Sequence, residues 1–528
     1  MKNSKPQSGF IMVILLGMII IMTIMGISLT LIITSNVSRS VTNEESQRAL
    51  NASEAGINYY LWHLSHSPSD FKDGQTTPIT PDATLGYGPY THDYIDGNSE
   101  KKATYTLWIK PQGNGSTVAT VRSIGKSYGG SSRPSVRTVE AKVGAPSYAS
   151  YGLIADTAVW FGNTEAASGP IHSNQGIRMD GASDSDVTSS RATYTPPNNV
   201  GGNGSSKAGV WCSSSVTAPV NCATRSKVDW RYPVTSIDFN QLSGDMCTIK
   251  KAAFLANAST SALASGATPC TQVPTTRTSS YVPQVSSSGS YSATKGYLIT
   301  LNNNNTYDLS NVSAVNDTLT PYTSALTRTS VATGIAIPSG GVIFVEDNVW
   351  VRTATTYGGR VTIASGRLAQ TANNTNITIA DDLLYTAKDG TSVIGLLAEG
   401  SFYIAPYALP STGNFTFEVN AAIIAQSGNA VYSGPTYDSN NSKCTRGWVG
   451  ASQKFIFYGS VATRGLWTWL WSRSNSCADA VASGGNFYSG ILNNQTNYDY
   501  NLLYAPPPYF PITSTYNILE WKEVVATP

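Results

Sequence analysis

The sequence predicts an α+β protein: one long N-terminal helix, a small antiparallel sheet, and then a large, mainly β region. Three observations carry this. Phe10 to Ile33 is a run of 24 residues without a charge, and apolar residues continue near helical spacing to Leu64. Between 103 and 143 apolar and polar residues alternate, the period of a half-buried strand. Beyond 340, short apolar runs bracketed by Gly, Asn and Asp begin near 342, 361, 377 and 393, at spacings of 19, 16 and 16 residues.

The composition fits an exported chain. Only 12% of the 528 residues are charged, against roughly a quarter in ordinary soluble domains. Ser, Thr, Asn and Gly supply the polarity instead, a surface common in exported β-proteins and unusual in cytosolic enzymes. The net charge of +2 gives no field to gather a polyanion, so no nucleic acid partner is expected.

The helix comes first. Twenty-four residues span about 36 Å as a helix, enough for a bilayer core of about 30 Å. A secretory signal is shorter, about 7–15 apolar residues, and ends at a cleavage site. Here the run continues as "TSNVSRSVTNEESQRALNASEAGINYYLWHL", with Val37, Val41, Ala49, Ala52, Ile57, Tyr60 and Leu64 near helical spacing and no Pro or Gly until Gly56. Lys2 and Lys5 hold the short leading segment in the cytoplasm, so the chain after Ile33 faces outward. A plain single-pass anchor is the simpler alternative.

Residues 1 to 64 resemble a type IV pilin N-terminus. "SGF", residues 8 to 10, matches a prepilin-peptidase site, and "QRALNASEAGINYYL" is similar to the end of the N-terminal helix in PilX-type minor pilins. The resemblance implies cleavage between Gly9 and Phe10, a leader at 1–9, a transmembrane and amphipathic helix at 10–66, and packing against other pilin subunits. It implies storage in the cytoplasmic membrane, N-terminus inside, before assembly, and display on the pilus or cell surface afterwards. One position departs from the family: its usual acid at the fifth mature position is Ile14 here. A buried N-terminal amine is costly unless paired, and Ile14 cannot pair one. The departure points to a tip subunit, which has no subunit ahead of it to neutralise.

Residues 67 to 102, rich in Pro, Gly and Asp, read as loop. "ATYTLWIK", "STVATVRSIG" and "VRTVEAKV" read as strands, giving a small β domain at 67–146. The region 147–528 holds almost no helical pattern. Its spaced short runs fit the rungs of a right-handed parallel β-helix; a β-sandwich is the competing arrangement. "SGPIHSNQGIRMDG" and "YDYNLLYAPPPYFPITSTYNILEWKEV" resemble the large C-terminal region of PilX-type assembly proteins. Residues 190–290 read as long loops.

The six cysteines, Cys212, Cys222, Cys247, Cys270, Cys444 and Cys477, include no CxxC, and the four histidines lie far from them. Disulfides are expected and metal is not. Six cysteines allow 15 pairings; pairing nearest neighbours closes the shortest loops. Between Cys444 and Cys477, Trp467, Trp469 and Trp471 stand at period two and share one strand face. They are expected either to plug the end of the β region or to form a binding surface for a glycan or receptor.

No catalytic residues or cofactor are expected. The best acidic pair, Asp381–Asp382, could share a pocket only at a bend, with Glu346, Asp347 or Glu399 as neighbours. Asp180, Asp184 and Asp186 lack the EF-hand spacing for Ca²⁺, and His172 has no nucleophile elbow. The sequence reads as a non-enzymatic minor pilin, tip-located, serving assembly priming and surface adhesion. The alternatives are a K-type minor pseudopilin of a type II secretion system and a membrane-tethered β-helix polysaccharide-active enzyme.

Overall fold

The structure, a computed structural model, describes residues 8–67, 70–75, 80–95, 97–111, 118–128, 134–163, 165–218, 221–255, 270, 272–285, 292–316, 321–369, 374–410, 413–433, 446–473, 481–513 and 516–525. The chain forms two compact units. The smaller comprises residues 1–110, 119–143 and 518–528; the larger comprises 111–118 and 144–517.

The smaller unit is built on one helix, α1 (Ser8–His66). Its first half is apolar all round and exposed on every side from Phe10 to Ile33. Polar residues then mark the exposed face, while Ala49, Ala52, Gly56, Tyr60 and Leu64 are buried at three- and four-residue intervals, with Ser53 and Ile57 beside them. That stripe covers an antiparallel sheet of β1 (Tyr87–Ile95), β2 (Lys101–Pro111), β3 (Val118–Ser127) and β4 (Val136–Gly144). Two glycines set the closeness of helix and sheet. A Cβ on Gly56 would lie 2.8 Å from the Tyr105 ring and collide with the Ser123 hydroxyl, and one on Gly125 would strike the Ala49 carbonyl. The Ala-Ser-Glu-Ala-Gly stretch is thus a packing surface.

Two expectations change here. β1 lies inside the segment read as loop; as the edge strand it tolerates Pro89, which cannot donate to a ladder. The sheet also has a fifth member, the C-terminal strand Asn517–Val524, beside β4. Lys142 pairs with Glu520 at 2.7 Å, Lys522 with Glu140 at 3.0 Å, and Arg137 with Glu523. A region running unbroken from 147 to 528 therefore does not describe the chain. The larger unit is an insertion between two neighbouring strands of the small sheet.

The larger unit holds two long sheets. In the first, Tyr281–Val282, Val342–Val345, Arg360–Ser365, Val393–Ala398, Phe415–Ala425 and Gln453–Thr463 pair in parallel, each with the next. Strand Gln453–Thr463 next pairs in parallel with Leu153–Ala155, followed by Ile171–Ser173, Val187–Ser189 and Trp230–Arg231. In the second sheet Gly296–Leu301, Asn348–Thr353, Ile377–Ile379, Phe402–Ile404, Ala430–Tyr432 and Trp467–Thr468 also pair in parallel, with an antiparallel hairpin at one edge. From Val342 to Thr468 the chain alternates between these sheets, one strand in each, apart from Gly447–Trp448, which pairs in a separate small sheet. The sheets remain separate and do not close on one another.

Register explains the core. Ile343, Ile363, Leu396, Ile423, Val461, Leu153, Ile171 and Val187 face one another in succession, all buried. This column crosses from the last long strand back to the first short one, so the earliest strands stack onto the latest. Entry and exit consequently lie together: Ser147 bridges Ile512, Tyr148 N donates to the Pro511 carbonyl at 3.0 Å, and Thr513 N to that of Pro146 at 2.7 Å.

A helix missed in the sequence, α2 (Leu242–Leu255), packs on the first sheet. Its signal was present: Leu242, Met246, Ile249 and Ala253 are buried at helical spacing inside a segment otherwise rich in turn residues. Disulfides join Cys212 to Cys222 and Cys247 to Cys270, the latter fixing α2. Cys444 and Cys477 lie outside the described residues.

Candidate functional site

Two features of the smaller unit bear on function. Gly9 and Phe10 lie on the first turns of α1, and Phe10 is exposed. The apolar half of α1 is one helix that is long and apolar enough to cross a membrane. An all-round apolar helix needs lipid or other helices as surroundings. Ile14 lies within it, exposed like its neighbours. At the far end, Asp70 and Asp73 anchor the following loop: His63 Nε2 lies 3.0 Å from Asp70, His92 Nε2 lies 2.7 Å from Asp73, and the Tyr59 hydroxyl donates to Asp73. Burial, then that hydrogen bond, pushes the Tyr59 phenol up to about 12.

In the larger unit a cleft of about 430 Å³ is lined by Asp381, Asp382, Tyr322, Tyr407 and Phe415 among others. The two aspartates follow directly on strand Ile377–Ile379, at the bend they require in order to share a pocket. Asp381 accepts from the Arg352 guanidinium at 3.2 and 3.3 Å. Asp382 Oδ1 accepts the Glu418 N–H at 2.7 Å, and burial pushes its carboxyl up to about 6. The cleft suits a small polar group. Glycoside cleavage needs two working carboxylates, and Asp381 is engaged with Arg352.

The neighbouring acids do not converge on it. Glu346 forms a fully buried ion pair with Lys250 of α2 and accepts from the Tyr281 hydroxyl at 3.2 Å. Burial raises its pKa, opposed by Lys250. Asp347 accepts from the backbone of Val285 and Asn348, and Glu399 from Arg367 N. His172 is buried, its ring nitrogens 3.0 Å from Thr188 and Asn174; burial lowers its pKa, so it is neutral at pH 7.

The Ca²⁺ ligand candidates are also occupied. Asp180 accepts from Trp160 Nε1, Arg178 Nε and Ser213 N; Asp184 from Ser168 and Gly169; Asp186 pairs with Arg231. No metal-competent group of His, Cys, Asp and Glu occurs among the described residues.

The tryptophan strip is a correction. Trp467, Trp469 and Trp471 do not lie on one strand: Trp467 is on Trp467–Thr468 of the second sheet, Trp471 on Leu470–Arg473 of a separate small sheet, and Trp469 sits at the bend between them. Trp469 is 4% exposed, between Phe402, Phe455 and Phe457, and the other two are partly buried against the same core. Trp469 is therefore not available to an exposed binding surface. Among the described residues of the larger unit the exposed indole is Trp160, at the centre of the strand Val159–Phe161; Trp62 and Trp521, also exposed, belong to the smaller unit. Its signal was the triplet Val-Trp-Phe, whose alternation turns Trp outward wherever Val and Phe turn in.

No protein-family profile matches the sequence, and no curated protein does. Among solved structures, the competence-associated pilin ComZ from Thermus thermophilus is similar over 91% of this chain and 97% of its own, at 12% identity and a TM-score of 0.30. A likeness at this level assigns neither fold nor activity.

Proposed function

We propose that the chain is a minor type IV pilin, held in the cytoplasmic membrane before assembly and displayed at the pilus tip afterwards. The observation that carries this is α1: 24 uncharged apolar residues, exposed on all sides, leading without a break into a face buried on a small sheet. The first half meets lipid or other subunits' helices, and the second carries the displayed β structure. Ile14, unable to neutralise a neighbour's amine, favours the tip, as does the large insertion, which is too bulky to repeat along a tightly wound shaft.

In this reading prepilin peptidase cuts between Gly9 and Phe10, the other partners are pilin subunits, and the large unit serves assembly priming and adhesion rather than catalysis. The alternation between two parallel sheets and the unbroken aliphatic column support a β-helix for that unit. The second reading, a K-type minor pseudopilin, is favoured by Ile14 together with α2 inside the insertion. N-terminal sequencing of the cellular protein tests the main reading: it should begin at Phe10, and a start at Met1 refutes it. Gold labelling should fall at filament ends; even labelling along the shaft excludes the tip.

A further inference from the structure

The strongest unassigned feature is a ladder of side chains on the outer face of a short parallel sheet in the larger unit. Strands Val159–Phe161, Ile177–Met179 and Val210–Trp211 pair so that Val159, Ile177 and Val210 stack inward while Trp160, Arg178 and Trp211 stack outward. The Arg178 guanidinium lies 4.3 Å from the Trp160 ring centroid and 5.2 Å from that of Trp211, and Lys207 lies 5.3 Å from the latter. Trp160 is nonetheless 42% exposed.

The exposure is organised. Asp180, its side chain 1% exposed, accepts from Trp160 Nε1 at 3.0 Å and Arg178 Nε at 2.7 Å through one oxygen, and from Ser213 N at 2.8 Å through the other. Trp211 Nε1 donates to the Tyr194 hydroxyl at 3.0 Å. One buried carboxylate therefore fixes the indole, the guanidinium beside it and the start of the loop closed by Cys212–Cys222. That loop carries hydroxyls at Ser213, Ser214 and Ser215 and returns to the strand end, where Asn163 Nδ2 donates to the Ala218 carbonyl. A rigid, half-exposed aromatic ring with its polar atoms already bonded binds at low entropic cost.

We propose that Trp160, flanked by Arg178 and a rim of hydroxyls at Ser213, Ser214 and Ser215, is a saccharide-binding site. The open indole face takes the C–H face of a pyranose ring, and the rim hydroxyls meet its O–H groups. Charge decides against a phosphate polymer. Arg178 is neutralised by Asp180, and Arg225 is spent on the carbonyls of Met179, Asp180 and Gly181. Among the described residues of the ladder that leaves Lys207 as the cation with no carboxylate beside it, whereas polyanion binding needs several. The adhesive use of the site rests on the pilin reading; its binding chemistry does not.

The test uses the full chain in detergent micelles on an array of hexose, N-acetylhexosamine and uronic acid oligosaccharides. At least one should bind, and Trp160→Ala should weaken it tenfold or more while leaving the melting temperature unchanged. In parallel, N-bromosuccinimide oxidation of Trp160 in the wild-type chain, mapped by mass spectrometry, should be suppressed by the bound oligosaccharide; this arm holds even where the variant folds poorly. No binding on the array, binding indifferent to Trp160 with no protection, or Trp160-dependent binding of an oligo-dT strand instead would each overturn the proposal. The micelle assay needs no filament, so a chain that starts at Met1 in cells but binds sugar refutes the pilin reading alone.

Discussion

Trp469→Ala is the sharpest probe of the larger unit. The indole is 4% exposed, with ring centroids of Phe455 and Phe457 at 5.7 and 5.5 Å and of Trp467 at 6.2 Å. Truncating a core aromatic costs roughly 3–5 kcal/mol. At about 25 cal/mol per Å², an indole burying some 200 Å² gives about 5 kcal/mol, in the same range. One term acts the other way: Trp469 Nε1 is buried without a partner, and removing an orphaned donor recovers about 1 kcal/mol. The net expectation is a loss of about 3–4 kcal/mol. At about 2.1 cal/mol/K of unfolding entropy per residue, a unit of this size loses roughly 4–5 °C in melting temperature. Differential scanning fluorimetry of the full chain in detergent reads this. Trp469→Phe, which keeps a ring and drops the orphaned N–H, should lose less than half as much. A normal melting temperature for Trp469→Ala would mean that Trp469 does not close this core, and the burial assigned to it would be wrong.

Three further outcomes follow from the packing and charges. Gly125→Ala drives a Cβ into the Ala49 carbonyl, which no rotamer can relieve; it should cost about 1–3 kcal/mol and expose the base of α1 to limited proteolysis, while Ala49→Ser should not. Lys250→Met strands Glu346 in the core and should cost roughly 3–5 kcal/mol, most of it recovered in Lys250→Met/Glu346→Leu, by urea unfolding. Asp382 has a folded pKa of about 6 against an ordinary 3.8. Its stability contribution is thus fully present below about pH 4 and lost as pH rises through 6. Asp382→Asn should therefore melt higher at pH 7, by on the order of 1 kcal/mol after allowing for partial exposure, and match wild type at pH 4.

What the sequence disclosed was whatever repeats locally. The uncharged run and the buried stripe of α1 are periodic within one element, and so are β2, β3 and β4. The alternating strands after 340 are legible because each is flanked by its own turn residues. What stayed hidden depends on distant partners. Tyr87–Ile95 looks like loop because Pro89 and Gly88 are tolerated only at an edge that the rest of the sheet defines. The period of Trp467, Trp469 and Trp471 suggests one strand face, but the chain bends at Trp469 between two sheets, and Phe402, Phe455 and Phe457 from other strands bury that ring. Trp160 is turned outward by its own strand alternation, but the carboxylate that holds its ring, Asp180, is twenty residues away. At Asp381–Asp382 the need for a bend was readable; the pairing of Asp381 with Arg352 was not.

The topology explains how so large a unit can sit inside a small sheet. An insertion between adjacent strands must begin and end at nearly the same place. A stack of strands built from one end to the other would leave its termini at opposite ends. Here the first short strand, Leu153–Ala155, lies in the middle of the first sheet, and the chain builds outward to Trp230–Arg231 before crossing to the far end near Tyr281. From there it returns strand by strand until Gln453–Thr463 meets Leu153–Ala155 again, and Ser147 bridges Ile512. The joint at Val461 and Leu153 is what closes the path. Excising 145–516 and linking Gly144 to Asn517 with a short Gly-Ser turn should therefore leave β4 and the C-terminal strand paired, held by Lys142–Glu520 and Lys522–Glu140. The shortened chain should keep a cooperative thermal transition in detergent. Val461→Asp, in the intact chain, should unfold the larger unit while that same transition persists. If the excised chain shows no transition, the small sheet depends on its insertion, and the two units are not separate folding bodies.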